Sequence, residues 1–320
     1  MAVKLPVKGR PEAESFAPMP RGNPLAVLVL TNELAGRTEQ DVVALAVAVL
    51  ETAGPVEVAE CVEPTQIDEL LDRRGDRPLV VVGGDGSLHN TVRALWRRGE
   101  AGRCPVGLIP LGTGNDFARG VGIPLEAAEA AKLIVSGPPR PVDLATDDSG
   151  DVVVNAMHVG AGADAAVRAR PLKPYLRIAA FPIGAVLAGV RAPGLRLRVE
   201  VDGRAVVSGR RRVLMAGFGN APSIAGGTAE LAPGASVTDG LLDVVVSTAV
   251  SPLARAGYGL ALLRGTHERR EDVLRLTGRT VSITGDEFHA NADGEISGPH
   301  RRRVWTVRPG AWLAYLPPVR

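Results

Sequence analysis

The segment Val81-Val82-Gly83-Gly84-Asp85-Gly86-Ser87 constrains this chain more than any other. The apolar run Leu79 to Val82 reads as a buried strand, and the glycines follow at once. A helical pattern starts near Ser87, with Leu88, Val92, Leu95 and Trp96 on one face. Strand, glycine turn and helix start together expose backbone N–H groups to an anion, and the missing Cβ lets phosphate oxygens come close. Asp85 makes the turn unusual. A carboxylate beside a phosphate cradle repels its ligand unless a cation lies between them, so the segment points to a metal–nucleotide site. The plain alternative is a tight βα turn with a capping Asp or Ser.

A second segment repeats the arrangement. Val106 to Pro110 is a short apolar strand, followed by Leu111-Gly112-Thr113-Gly114-Asn115-Asp116-Phe117-Ala118-Arg119. Two such turns suit successive βα units of a parallel sheet, with their loops at the sheet edge where ligands of open α/β sheets bind. The same alternation runs from Leu25 to about Leu144: strands at Leu25–Leu30, Val56–Ala59 and Leu79–Val82, helices at Thr38–Thr52 and Ile67–Arg73.

The rhythm changes after Pro141. Leu195 to Val201 alternates strictly, and Asp202-Gly203 marks a hairpin into a strand at Ala205–Ser208. Arg212–Ala216, Leu242–Ser247, Thr280–Thr284, Arg303–Val307 and Trp312–Leu316 are further strands of what reads as an antiparallel sandwich, with helical insertions at Pro174–Arg191 and Pro252–Leu263. The expected organisation is therefore a disordered tail over 1–22 without a signal peptide, an α/β domain with a mainly parallel sheet over 23–144, a β-sandwich domain over 145–304, and a segment over 305–320 returning to the first domain.

With 320 residues the chain has room for about two domains. A net charge of +2 is too near neutral to suggest nucleic acid. Cys61 and Cys104 lack metal-ligand spacing and read as thiols of a reducing cytosol. The longest apolar stretch, Ile178 to Val190, contains Pro182 and is too short to span a bilayer. It follows Lys173, Tyr175 and Arg177, so it reads equally as a peripheral membrane contact or as a cover for the sandwich. Arg301-Arg302-Arg303 reads first as a solvated charge run, with lipid head groups as the alternative. Exposed sandwich edges permit a homodimer.

Asp85, Asp116 and Asp143 each follow a strand or turn; if their loops meet, they must share protons or hold a divalent cation. Asp239 and Asp293-Gly294-Glu295 stand on turns of the second half, from which Glu295 could accept a hydroxyl proton. For each Asp-Gly pair taken alone, a hairpin is the simpler reading. No P-loop or protein-kinase catalytic-loop signature is present. His158, His267, His289 and His300 show no metal spacing.

Together these segments resemble the soluble bacterial diacylglycerol kinase and lipid kinase family, related to sphingosine kinases. Gly83 to Ser87 is similar to its GGDG[TS] loop and Leu111 to Arg119 to its LGTGNDFAR segment. Asn220, Gly226-Gly227, Ala232-Pro233, Ala235, Asp239 to Val244 and Asp293-Gly294-Glu295 follow its later motifs. The resemblance implies a nucleotide domain and a β-sandwich with the active site between them. It implies ATP on Asn32, Gly83, Gly84, Asp85, Gly86, Ser87, Thr113, Gly114 and Asn115. It places Glu295 as the base, with Asp293 beside it. It assigns Mg²⁺ to an Asp85–Asp116–Asp143 network and a structural cation to Asp239 with the carbonyls of Ser236 and Leu241. A lipid substrate, diacylglycerol or a similar alcohol, would be met by a cytoplasmic protein at the inner face of the membrane. The chain departs from the pattern in two places. Glu33 replaces the usual Pro in Asn32-Glu33-Leu34-Ala35-Gly36, and His89-Asn90 replaces Asn-Glu. A nucleotide-touching threonine near the second strand is sought among Cys61, Glu63 and Thr65. Sphingoid, polyprenol or soluble acceptors, and a non-catalytic sensor, are the competing functions.

Overall fold

The computed structural model describes residues 25–31, 37–61, 65–161, 163 and 194–318. The tail, Asn32 and its turn, Glu63, Lys173 and the helical insertion expected at Pro174–Arg191 lie outside them.

The first half forms as its periodicity requires. Strands β1 (Val27–Thr31), β2 (Val56–Glu60), β3 (Leu79–Gly83) and β4 (Pro105–Pro110) alternate with helices α1 (Arg37–Glu51), α2 (Gln66–Arg74) and α3 (Asp85–Arg97). The strands pair in parallel in the order β4-β3-β1-β2. Residues such as Val27, Val29, Leu79, Val80 and Ile109 are almost wholly buried, as expected of a sheet covered on both faces. The short helix α4 (Asp116–Val121) follows the second glycine turn, and α5 (Ala127–Ser136) packs beside α1.

Strand β5 (Arg140–Asp147) turns through β6 (Val152–Val153) into β7 (Ala156–Gly160). The second half contributes β8 (Leu195–Val201), β9 (Arg204–Val213), β10 (Met215–Gly219), the ribbon β11 (Ser223–Ile224) and β12 (Ala229–Glu230), β13 (Leu242–Ser247), α6 (Pro252–Leu263), β14 (Val273–Gly278), β15 (Thr280–Ala292) and β16 (Glu295–Ala314). Their mutual pairings are antiparallel, which gives the sandwich-like half expected. Asp202 and Gly203 both have positive φ and close β8 onto β9 with Val201 opposite Arg204.

Three readings need correcting. Arg303–Val307 and Trp312–Leu316 are not two strands: a single β16 runs through Arg303–Val307 to Trp312–Ala314, with a register shift between Arg308 and Trp312 that accommodates Pro309-Gly310, and Tyr315 and Leu316 lie beyond its end. Arg212–Ala216 straddles the break between β9 and β10. β15 continues well past Thr284, through an irregular register, to Ala292.

β16 ties the halves together. It pairs with β15 and β5 antiparallel, and its last residues, Leu313 and Ala314, lie parallel to Pro105 and Val106 of β4. Trp312, Tyr315 and Leu316 are buried in the core around β1–β4. Among the described residues no helix is long and apolar enough to cross a membrane.

Candidate active site

The register Gly83 opposite Pro110 brings both glycine turns to one edge of the parallel sheet. There they meet backbone to backbone. A Cβ on Gly112 would lie 2.4 Å from the Gly84 Cα, so only glycine permits the approach. The Leu111 N–H donates to the Gly83 carbonyl (3.0 Å). Asn115 takes the left-handed conformation (φ 52°), and its amide grips Gly112 twice: Oδ1 accepts the Gly112 N–H (3.0 Å) and Nδ2 donates to the Gly112 carbonyl (2.6 Å). Thr113 is exposed at the tip, and Gly114 lies against Gly226 of the second half.

Asp85 holds the two turns in one frame. Its oxygens accept the N–H groups of Asp116 and Phe117, each at 2.9 Å, so a residue at the start of α3 caps α4. Burial raises its pKa against those two N–H groups, and the neighbouring charges of Asp116 and Asp293 raise it further. Phe117 packs on Trp312 of β16, ring centroids 5.6 Å apart. Asp116 reaches into the other half, accepting the Ser223 hydroxyl (3.0 Å) and the N–H groups of Gly226 (2.9 Å) and Gly227 (2.8 Å).

Asp143 does not join this pair. Its buried carboxylate accepts the N–H groups of Gly310 (2.8 Å) and Gly240 (2.6 Å), and burial raises its pKa against them. It belongs instead with the Asp239 turn, where Asp239 accepts the Leu241 N–H (3.0 Å) and Ser236 meets Thr238 through their hydroxyls. The acids expected as one network thus lie in two groups: Asp85 and Asp116 with the glycine turns, Asp143 with Asp239. Asn220, fully buried, joins strands around them by donating to the carbonyls of Asp143 (3.0 Å) and Val154 (2.8 Å).

Asp293 and Glu295 differ sharply. Asp293 and Gly294, both at positive φ, form the two-residue turn between β15 and β16, with Ala292 opposite Glu295. The Asp293 side chain is 2% exposed and accepts the N–H groups of Val154 (2.6 Å), Asn155 (2.9 Å) and Ala156 (3.0 Å). Its Oδ2 also meets His89 Nδ1 at 2.9 Å. Asp293 therefore builds the turn and offers no free carboxylate. Glu295 pairs with Ala292 through its backbone, while its side chain is exposed and has no hydrogen bond or ion pair among the described residues. His89, Asn155 and Ser223 went unread as site residues. His89 and Asp293 are separated by 204 positions, so no local pattern links them.

The residues fit a magnesium ion that arrives with a nucleotide better than a closed protein cage. Among the described residues no group of three or more potential ligands could hold a metal. Asp85 and Asp116 nevertheless place two neighbouring carboxylates by the glycine turns, and Mg²⁺ is commonly held by one or two carboxylates plus phosphates and water. Thr65 is exposed before α2, while the half-buried Cys61 donates its N–H to the Thr31 carbonyl (2.8 Å). Arg303 pairs with Asp147 and Asp148, and Arg301 lies 3.5 Å from Glu287, so the arginine run is engaged with surface acids.

Comparison with known proteins agrees with this architecture. The diacylglycerol kinase catalytic domain matches residues 26–146, and the YegS C-terminal NAD kinase beta sandwich-like domain matches residues 156–314. The chain is 33% identical over 299 residues to a Pseudomonas aeruginosa protein named "Probable lipid kinase YegS-like", covering 91% of this chain and 94% of that one. It is 31% identical over 234 residues to a diacylglycerol kinase of Mycobacterium tuberculosis, covering 71% and 72%. A solved diacylglycerol kinase structure from Bacillus anthracis shares the fold with a TM-score of 0.70 at 21% identity, covering 92% and 97%. The two domains thus define a kinase of the lipid-modifying class. The chain belongs to the diacylglycerol kinase and YegS-like lipid kinase family.

Proposed function

We infer that this chain transfers the γ-phosphoryl group of ATP to the hydroxyl of diacylglycerol or a similar lipid, giving a phosphatidic-acid-type product. One observation carries the reading. The turn bearing the exposed Glu295 is tied through Asp293 to His89, one helical turn beyond the glycine loop at Asp85. That linkage ties the hairpin carrying Glu295 to the helix that starts at the first glycine turn, which supports the reading.

In this reading the N–H groups opening α3 and the second glycine turn bind phosphate oxygens, while Thr113, Gly114 and Asn115 shape the rim. Asp85 and Asp116 hold Mg²⁺, which when bound neutralises charge on the phosphates. Glu295 accepts the hydroxyl proton as the lipid oxygen attacks phosphorus. Asp239 with the Ser236 and Leu241 carbonyls is the candidate for a separate structural cation. The acceptor is met at a membrane surface.

The test is Glu295→Gln with labelled ATP and extracted lipids. Phosphorylated lipid should fall by a factor of about 10²–10⁴, the usual worth of a general base, with nucleotide binding retained. Full activity in that variant removes the base. Label found only in soluble products from the unaltered protein rejects a lipid acceptor.

A further inference from the structure

We propose that His89 is a positioning residue that couples the first glycine turn to the hairpin carrying Glu295. The inference rests on the kinase reading above but has a readout of its own. Helix α3 begins at Asp85, so His89 stands one turn along it, on the face that Asp85 shares. The pair His89 Nδ1 to Asp293 Oδ2 is nearly sealed from solvent, with side chains 4% and 2% exposed. Its strength is correspondingly little screened. Asp293 is in turn the residue that sets the hairpin: three backbone N–H groups of Val154–Ala156 converge on it, and its own N–H donates to the Ala156 carbonyl (3.0 Å). Glu295 follows two residues later, its backbone paired with Ala292 across the hairpin and its side chain exposed, so its position follows that of the turn Asp293 sets. His89 supplies the bond that fastens Asp293 to α3. Oδ2 of Asp293 accepts the Val154 N–H as well, so in this pair it is again the acceptor and Nδ1 the donor.

His89 is one of the residues at which the sequence departs from the family pattern, and its bond to Asp293 gives that departure a purpose. The imidazole reaches Asp293 with a rigid, aromatic donor that holds one direction. Displacing the hairpin by about 1 Å through loss of that donor is enough to cost on the order of 10²-fold in rate.

The experiment compares His89→Gln, which keeps a donor, with His89→Leu, which keeps bulk and loses it, both in the full chain. Deuterium uptake is followed over residues 289–297 alongside steady-state kinetics with ATP and lipid. In His89→Leu, uptake in that hairpin should rise about tenfold while β1–β4 stay protected, and kcat should fall at least about tenfold with KM for ATP changed less than about twofold. His89→Gln should restore most of both. Equal uptake and equal kcat in the two variants overturn the proposal, as does a loss confined to KM. Should the unaltered protein phosphorylate no acceptor, the kinase reading falls and hairpin uptake alone decides the coupling.

Discussion

Gly112→Ala tests whether the two glycine turns really abut. The new Cβ would sit 2.4 Å from the Gly84 Cα, 2.9 Å from Asn115 Oδ1 and 3.1 Å from the Gly84 nitrogen. Backbone is not a yielding neighbour, and ordinary contact begins near 3.4 Å, so the turns must separate by roughly 1 Å. Overpacking of that kind costs about 1–3 kcal/mol of stability. The same displacement in a phosphate cradle costs on the order of 10² in turnover. Gly86→Ala is the matched control. Its Cβ meets nothing within 4 Å and it lies inside α3, so the substitution should stabilise the fold by about 0.4–1 kcal/mol. If phosphate occupies the open space over Gly86, that more stable variant should nonetheless bind ATP more weakly. Urea unfolding and calorimetric titration with Mg·ATP give both quantities. A Gly112→Ala protein of unchanged stability and activity refutes the contact; a Gly86→Ala protein with unchanged ATP affinity refutes the location of the phosphates.

Further expectations follow from the buried acids. Asp143→Asn turns an amide N–H₂ toward the Gly240 or Gly310 N–H and leaves a buried donor unmet, so unfolding should show a loss of about 1–3 kcal/mol. Burial works to lower the His89 pKa, but the hydrogen bond and charge of Asp293, with Asp151 adding and Arg93 opposing, raise it on balance. Its folded pKa therefore lies above the unfolded value of about 6.5: the stabilisation is complete below that pH and drains away as pH rises through the folded value. The melting-temperature gap between the unaltered protein and His89→Gln should accordingly narrow from pH 6 toward pH 9, and a gap that widens contradicts the assignment. Arg275→Met strips the buried Asp243 of its cation, whose side chain is 41% exposed and hence screened, so the cost should be about 1 kcal/mol or less at pH 7. Because burial raises the Asp243 pKa, that cost should shrink as pH falls through the raised value, measurable by thermal unfolding.

The strand–helix alternation of the first half was legible because apolar periodicity is a local property, and β3, α3 and β4 lie where the pattern predicts within two residues. The hairpins at Asp202-Gly203 and Asp293-Gly294 were legible for a similar reason, since only a few residue types accept two successive positive φ values. β5 was not, because Pro141 and Asp143 break its apolar run and mimic a turn; its order comes from pairing with β16, whose residues lie far along the chain. The bend that lets β16 serve both halves reads in the sequence as a gap between strands, since Pro309-Gly310 punctuates a chain whether or not pairing resumes beyond it.

The acids show why motif position and chemical role separate. Asp85, Asp116 and Asp293 sit in motif segments and Asp143 within β5, yet each is occupied by backbone N–H groups from another element. A carboxylate suits such a position because its two oxygens accept several N–H groups at once, and charge-assisted bonds offset the cost of burial. Such partners lie 31 to 167 positions away in this chain, beyond the reach of any spacing rule. Four aspartates thereby become the frame that holds two glycine turns and one hairpin at fixed distances. Glu295 takes no part in this frame. A proton acceptor must have a lone pair to offer when substrate arrives, and an exposed side chain outside the frame suits the role of base proposed for Glu295.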